Sequence, residues 1–88
     1  MEMKHASHPA IITRLKRAHG HLAAVLSMLE EGRPCVDLAQ QLHAVEGAIS
    51  NAKRELIHDH IEHCLDDTSD AGSPRTALKE LKQLAKYL

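Results

Sequence analysis

The chain has 88 residues, a formal net charge of −1 and a single aromatic residue, Tyr87. This length predicts one domain with a modest core built from leucine, isoleucine, valine and alanine, so we expect the chain to oligomerise. The near-neutral charge means that any nucleic-acid surface must come from local clustering. No apolar leader or run of about 18 apolar residues occurs, which predicts a cytoplasmic protein with no membrane partner.

The N-terminal residues predict an arm followed by a helix. Residues 1–8 are polar and indicate a flexible arm, and residues 9–88 are expected to form a single helical domain. Apolar residues recur at helical spacing over residues 11–29, which predicts the first long helix. Ser7 is a candidate N-cap, and Pro9 is tolerated in a first helical turn.

A second long helix is predicted from about residue 35 to residue 66, after Gly32 and Pro34 have ended the first. Its apolar positions alternate in steps of three and four, a heptad-like seam that needs a partner along its whole length. A close helix crossing would offset the cost of Gly47, about 1 kcal/mol relative to alanine. The seam comprises Cys35, Leu38, Leu42, Val45, Ile49, Ala52, Leu56 and His60.

A short third helix is predicted after a polar break at residues 66–72. Ser73 and Pro74 are typical of an N-cap and a first helical position. The apolar face that follows comprises Ala77, Leu78, Leu81, Leu84, Ala85 and Leu88. The pattern contains no β alternation and no internal repeat, so it predicts an all-α chain of two long antiparallel helices and a short third.

Cys35, His60 and Cys64 are candidate metal ligands. His60 and Cys64 are four residues apart and share one helix face. Cys35 is 25 residues before His60, about 38 Å along a continuous helix, so no single ion spans them. An antiparallel partner helix would bring Cys35 beside His60 and Cys64 of the other chain. Two thiolates and one imidazole suit a borderline or soft transition metal, held in a dimeric four-helix core.

Other histidines are weaker candidates. His63 follows His60 by three residues and can face the same site, although a solvated side chain is the competing interpretation. One histidine of the arm can supply a fourth ligand if the arm folds over the site, and we favour His5 over His8. A disordered arm is the alternative. We expect structural or surface roles for the remaining histidines, His19, His21, His43 and His58.

Basic residues cluster on both long helices. The cluster comprises Arg14, Lys16, Arg17, Lys53 and Arg54. With the hairpin turn near Arg33, Arg14 and Lys53 lie level on adjacent helices. Such a band supplies contacts to the phosphates of double-stranded DNA. Ordinary solvated charge is the alternative, since no helix-turn-helix signature is present.

Several segments together resemble the CsoR/RcnR family of metal-sensing repressors. They are Arg-Leu-Lys-Arg-Ala-His-Gly-His at 14–21, Cys35, Gln-Gln-Leu-His-Ala-Val at 40–45, and Asp59-His60 with Cys64. The resemblance covers nearly the whole chain. It implies a homodimer that pairs into a disc-like homotetramer. It also implies that the metal-free form represses metal-efflux or resistance genes at operator DNA and is released by metal.

The resemblance also implies roles for single residues. It matches Cys35, His60 and Cys64 to the three core ligands of the family. Glu80 matches an acid that connects the metal-bound histidine to the third helix. Three further positions bear on DNA: Arg14 and Arg54 match basic residues of the family, and Asn51 stands where some copper sensors carry an arginine.

The identity of the metal is predicted from the resemblance and from ligand chemistry. Arg33-Pro34-Cys35 with an N-terminal histidine is similar to nickel-sensing branches, and His5 would complete four N/S ligands for Ni(II) or Co(II). Copper sensors often carry tyrosine where Pro34 stands, yet a Cys-His-Cys set suits trigonal Cu(I), which is the alternative. A cytosolic metal chaperone or buffer without a DNA role is an alternative of another class. The sequence contains no nucleophile–base pair, so we do not expect an enzyme.

Overall fold

The described residues form three helices. We describe residues 7–66 and 74–88 of a computed structural model; for residues 64–66 and 74 the description covers the backbone alone. Helix α1 is His8–Glu30, α2 is Cys35–Asp66 and α3 is Pro74–Ala85. All regular structure in these two ranges is helical, which confirms the predicted all-α class. The predicted arm, apart from Ser7 and His8, lies outside the described residues.

The start of α1 has the predicted residues but not the predicted capping bond. Ser7 is the N-cap residue and a proline lies in the first turn. The Ser7 side chain makes no capping hydrogen bond, and its hydroxyl is buried without a partner. Its backbone carbonyl instead accepts the N–H of Ile11 at 3.0 Å. The helix therefore starts through backbone bonding and the fixed φ of proline.

The turn between α1 and α2 depends on a glycine. Gly32 has a φ of 77°, a left-handed conformation that costs other residues free energy. The Gly32 N–H donates to the Leu29 carbonyl and the Arg33 N–H to the Met28 carbonyl, both at 3.1 Å. These two bonds form a Schellman motif. Pro34 then prevents continuation, and α2 starts at Cys35 as predicted.

The two long helices pack antiparallel along narrow stripes. Early positions of α1 meet late positions of α2, as the Arg14–Glu55 contact shows. The buried positions of each helix recur mainly every seven residues, so each helix offers one heptad stripe to the other. These are Ile11, Ala18 and Val25 on α1, and Leu38, Val45, Ala52 and Ile57 on α2.

The predicted α2 seam is divided between two surfaces. Its other heptad stripe remains accessible: Leu42, Ile49 and Leu56 are 42–46% exposed, and Cys35 is exposed at the end of the same stripe. A matching accessible stripe runs along α1 through Leu15, Leu22 and Leu29. The core therefore uses half of the seam, and the other half forms a continuous apolar surface.

The chain is elongated and has more accessible surface than a compact monomer of its mass. Its extents are 55 × 23 × 16 Å and its radius of gyration is 17.4 Å, against about 12 Å for a compact chain of this length. Its accessible surface is 6851 Å², whereas a folded monomer of this mass exposes about 5100 Å². Over the described ranges, no helix combines the length and apolar character needed to cross a bilayer.

Candidate metal centre and nucleic-acid interface

His60 is connected to the third helix through a hydrogen bond. Its Nε2 lies 3.0 Å from Oε1 of Glu80, which joins the late part of α2 to the middle of α3. Histidines that ligate a metal through one ring nitrogen commonly donate the other N–H to a carboxylate, which orients the ring and raises its basicity. Glu80 lies where such an acceptor is needed for Nε2. Its role toward a metal remains a prediction.

A cavity of about 420 Å³ lies beside this bond. Besides His60 and Glu80, its lining includes residues near the C-terminus that the sequence did not point to: Gln83, Leu84, Lys86 and Tyr87. The N–H of Tyr87 donates to the Leu84 carbonyl at 3.0 Å, and this turn continues the chain directly from the end of α3. His60 therefore faces a space bounded by two elements that are far apart in sequence.

Cys35 is the first residue of α2 and carries an exposed, free thiol. Because α2 runs unbroken from Cys35 to Asp66, the thiol and the His60 ring are separated by about 38 Å of helix. Within the described part of the chain, no three side chains of histidine, cysteine, aspartate or glutamate come together as a metal group. Within one chain, the candidate ligands Cys35 and His60 therefore lie far apart.

The remaining predicted ligands are placed only in part. The backbone of Cys64 lies in α2 one turn after His60, but its side chain is outside the description, as is His5. His63 is partly buried in the same turn. A thiol at one end of α2 and a carboxylate-supported imidazole at the other are donors that fit a borderline or soft metal. They fit it only if a second chain supplies the missing end.

In the predicted basic band, two arginines contact an acid and an amide, and the sequence pattern did not predict these contacts. Nη1 of Arg14 lies 3.2 Å from Oε2 of Glu55, and both side chains are about half exposed. The predicted neighbour of Arg14 on α2 was the cation Lys53, and the structure adds an ion pair between Arg14 and Glu55. Nη1 of Arg54 donates to Oδ1 of Asn51 at 3.0 Å. Asn51 thus orients a neighbouring guanidinium, a role that depends on their i, i+3 spacing in α2.

A shallow hollow between α1 and α2 brings part of the band together. Arg14, Arg17 and Asn51 line it with Ala18, His21 and Ala48. His21 Nε2 also bonds Oε1 of Gln41 across the two helices, in agreement with a structural role. Lys16, Lys53 and Arg54 are exposed. Two guanidinium groups and an amide around one hollow are suited to phosphate oxygens.

Comparisons with known proteins identify the family and the fold of the chain. Residues 7–87 match the model of a family described as metal-sensitive transcriptional repressors. The copper-sensing transcriptional repressor CsoR of Mycobacterium ulcerans is 37% identical over 78 residues, which are 89% of this chain and 67% of that protein. The CsoR of Bacillus subtilis is 37% identical over 76 residues, or 86% of this chain and 75% of that protein. The chain thus spans about two thirds to three quarters of these relatives.

A solved structure is similar over the whole length. The nickel-responsive transcriptional regulator InrS superposes with a TM-score of 0.81 at 30% identity, covering 100% of both chains. The members of this family are transcriptional regulators and not enzymes, in agreement with the prediction from the sequence. With the family model matching residues 7–87, the chain belongs to the family of metal-sensitive transcriptional repressors.

Proposed function

We propose that the chain is a cytoplasmic, metal-responsive repressor whose metal-free form binds operator DNA of metal-efflux or resistance genes. Metal at a Cys/His site shared between two copies releases it. The observation that carries the proposal is the placement of Cys35 and the His60–Glu80 pair at opposite ends of one unbroken helix. A second, antiparallel α2 would bring the two ends together, and the accessible stripe of Leu42, Ile49 and Leu56 is the surface on which it would pack.

Ni(II) or Co(II) is the proposed effector, held by Cys35 of one copy and His60 and Cys64 of the other, with His5 as the fourth ligand. The nickel-responsive regulator with a similar structure supports this choice, as does the Arg33-Pro34-Cys35 segment. His63 is a further possible ligand, because it follows His60 by three residues in α2. Cu(I), bound by the three core ligands alone, is the second candidate, because relatives named as copper-sensing are up to 37% identical.

The His60–Glu80 bond is the proposed connection between the metal site and the rest of the fold. In this scheme the tetramer has two packings of α3 against the late part of α2, and only one of them binds DNA. Metal favours the other packing and shifts the population toward it. Arg14, Lys16, Arg17, Lys53 and Arg54 supply the phosphate contacts in the DNA-binding packing.

A complementation experiment tests the shared site. Cys35→Ala and His60→Ala proteins are each expected to bind metal poorly and to keep binding DNA. When they are mixed and allowed to exchange subunits, half of the dimers are heterodimers, and each contains one intact site and one site lacking both ligands. We expect about a quarter of the wild-type metal capacity to return. No recovery after demonstrated exchange would contradict a site formed between chains.

A titration tests the metal and the DNA role together. Reduced protein is titrated anaerobically with Ni(II), Co(II) and Cu(I), and thiolate charge-transfer spectra are read with the anisotropy of a duplex selected from a random pool by the metal-free chain. DNA release by Ni(II) or Co(II) supports the favoured effector, and release by Cu(I) alone supports the second candidate. If no duplex is selected while metal binds tightly, the chain is a metal buffer or chaperone and the repressor proposal is wrong.

A further inference from the structure

Helix α3 carries a basic stripe, and its last member, Lys86, also lines the cavity beside His60. Arg75, Lys79, Lys82 and Lys86 are spaced by four, three and four residues, and all are exposed. At about 100° per residue these positions fall within about 60° of the helix circumference. Lys86 follows the last residue of α3, and its N–H still donates to the Gln83 carbonyl at 3.4 Å, which continues the turn. The four cations therefore form one line.

The charge of this segment is opposite to that of the rest of the chain. Residues 74–88 contain four of the eleven lysines and arginines and one of the twelve acids, a net charge of +3 in a chain of net charge −1. The single acid, Glu80, lies about 140° from Arg75 around the helix and contacts His60. No acid of α3 itself neutralises the stripe, so it presents a local positive field.

The stripe extends the basic band of the long helices. Lys53 precedes His60 by seven residues, so both lie on one face of α2, about 10 Å apart along its axis. Because Glu80 of α3 contacts His60, α3 lies beside this face, two turns beyond Lys53. The stripe from Arg75 to Lys86 adds about 16 Å of positive surface, which is the length of about five base pairs.

A membrane surface is the other partner that a basic amphipathic helix can bind, and the packing of α3 argues against it. Membrane binding buries the apolar face of such a helix in lipid. In α3 the apolar residues Ala77, Leu81 and Leu84 are partly buried within the fold. The accessible side chains of residues 74–88 include Leu78, Tyr87 and Leu88 beside the four cations. With half of the apolar face packed in the fold and four charges in one line, this surface suits phosphates better than acyl chains.

We propose that α3 contacts the DNA backbone directly, with Lys79 and Lys82 at the centre of a phosphate-binding stripe that adds to the contacts of the long helices. The inference rests on the proposed DNA-binding function and names a surface outside its basic band. It also places phosphate contacts on the helix that holds His60 through Glu80.

The salt dependence of DNA binding tests the inference. Metal-free Lys79→Gln/Lys82→Gln protein is compared with wild type on the same selected duplex. Each phosphate contact contributes about 0.9 to the slope of log affinity against log salt, so two lost contacts lower the slope by about 1.8 per bound α3. Raising salt from about 50 to about 200 mM should then weaken the variant about tenfold less than wild type. Glutamine preserves helix propensity.

Two controls separate the possible failures. Arg33→Gln removes an exposed cation in the α1–α2 turn, outside both basic surfaces, and should leave the slope unchanged. Metal affinity should be the same in the α3 variant and in wild type. An unchanged slope in the α3 variant, when Arg14→Ala lowers it, overturns the inference and leaves the proposed function standing. A wild-type chain that binds no duplex overturns the proposed function itself.

A vesicle assay supplies the competing outcome. Sedimentation with vesicles of phosphatidylserine and phosphatidylcholine is measured for wild type and for the Lys79→Gln/Lys82→Gln variant. We expect little binding by either protein. Strong binding of wild type that the variant loses, together with an unchanged DNA slope, would assign the stripe to a lipid surface instead and refute the DNA contact.

Discussion

Replacing Ile49 with alanine should weaken self-association of the chain. Ile49 is 46% exposed at the middle of the accessible α2 stripe. Full burial of an isoleucine side chain contributes about 1.5–3 kcal/mol, so covering its remaining exposed part contributes about 0.7–1.4 kcal/mol. A symmetric dimer buries it twice, roughly 1.4–2.8 kcal/mol in total. The dimer dissociation constant should therefore rise about 10–100-fold.

Sedimentation equilibrium over a range of concentrations measures this change in the metal-free protein. Alanine is a better helix former than isoleucine, so loss of α2 itself is not expected. Val36→Ala is the matched control, because Val36 is 69% exposed and lies outside the accessible stripe. It shares its face of α2 with His43, seven residues later, whose side chain is 89% exposed. An unchanged dissociation constant for Ile49→Ala, or an equal change for Val36→Ala, would refute the assignment of the dimer surface.

Three further substitutions test the rest of the scheme. In Gly47→Ala, the added Cβ meets nothing within 4 Å in one chain, so it should favour the helix by about 1 kcal/mol. If a second helix crosses closely at Gly47, the same Cβ should weaken dimerisation about tenfold. Tighter association in sedimentation equilibrium would refute a close crossing at this position. Arg14→Ala should lower DNA affinity and reduce the salt slope by about 1, while calorimetry should find stability changed by less than about 1 kcal/mol, because its pair with Glu55 is exposed; equal anisotropy curves would remove Arg14 from the contact surface. Glu80→Ala should lower metal affinity about 10–100-fold in a chelator competition and preserve DNA binding by the metal-free form; unchanged affinity would show that the bond to His60 does not support the site.

Local signals in the sequence were sufficient for the helices. Gly32 and Pro34 act within one turn of where they stand, so the end of α1 and the start of α2 follow from them. The same holds for Pro74 at the start of α3. The exception is Ser7, whose position was predicted but whose side chain forms no cap. A capping bond depends on a rotamer, which residue type alone does not determine.

The candidate site was predictable where helix geometry alone decides distance. The spacing of Cys35 and His60 already implies that one chain separates them, because the rise per residue is constant. Glu80 was different, since only the resemblance to a known family indicated it. Its contact with His60 joins residues 20 positions apart and requires α3 to fold back at one particular angle. The pairing of Arg14 with Glu55 likewise depends on how the two long helices are rotated.

The sequence by itself predicted three helices and their ends, and it showed that the candidate ligands Cys35 and His60 are too far apart for one chain to bring together. The tertiary structure decided which half of the α2 seam is buried. Leu38 and Val45 alternate with Leu42 and Ile49 in equivalent steps of three and four, so periodicity does not distinguish the stripe that is buried from the one that is not. Rotation of α2 about its axis, set by packing against α1, buries the first pair and leaves the second accessible. Periodicity defines that a helix has an apolar face, whereas only packing chooses the neighbour that covers it.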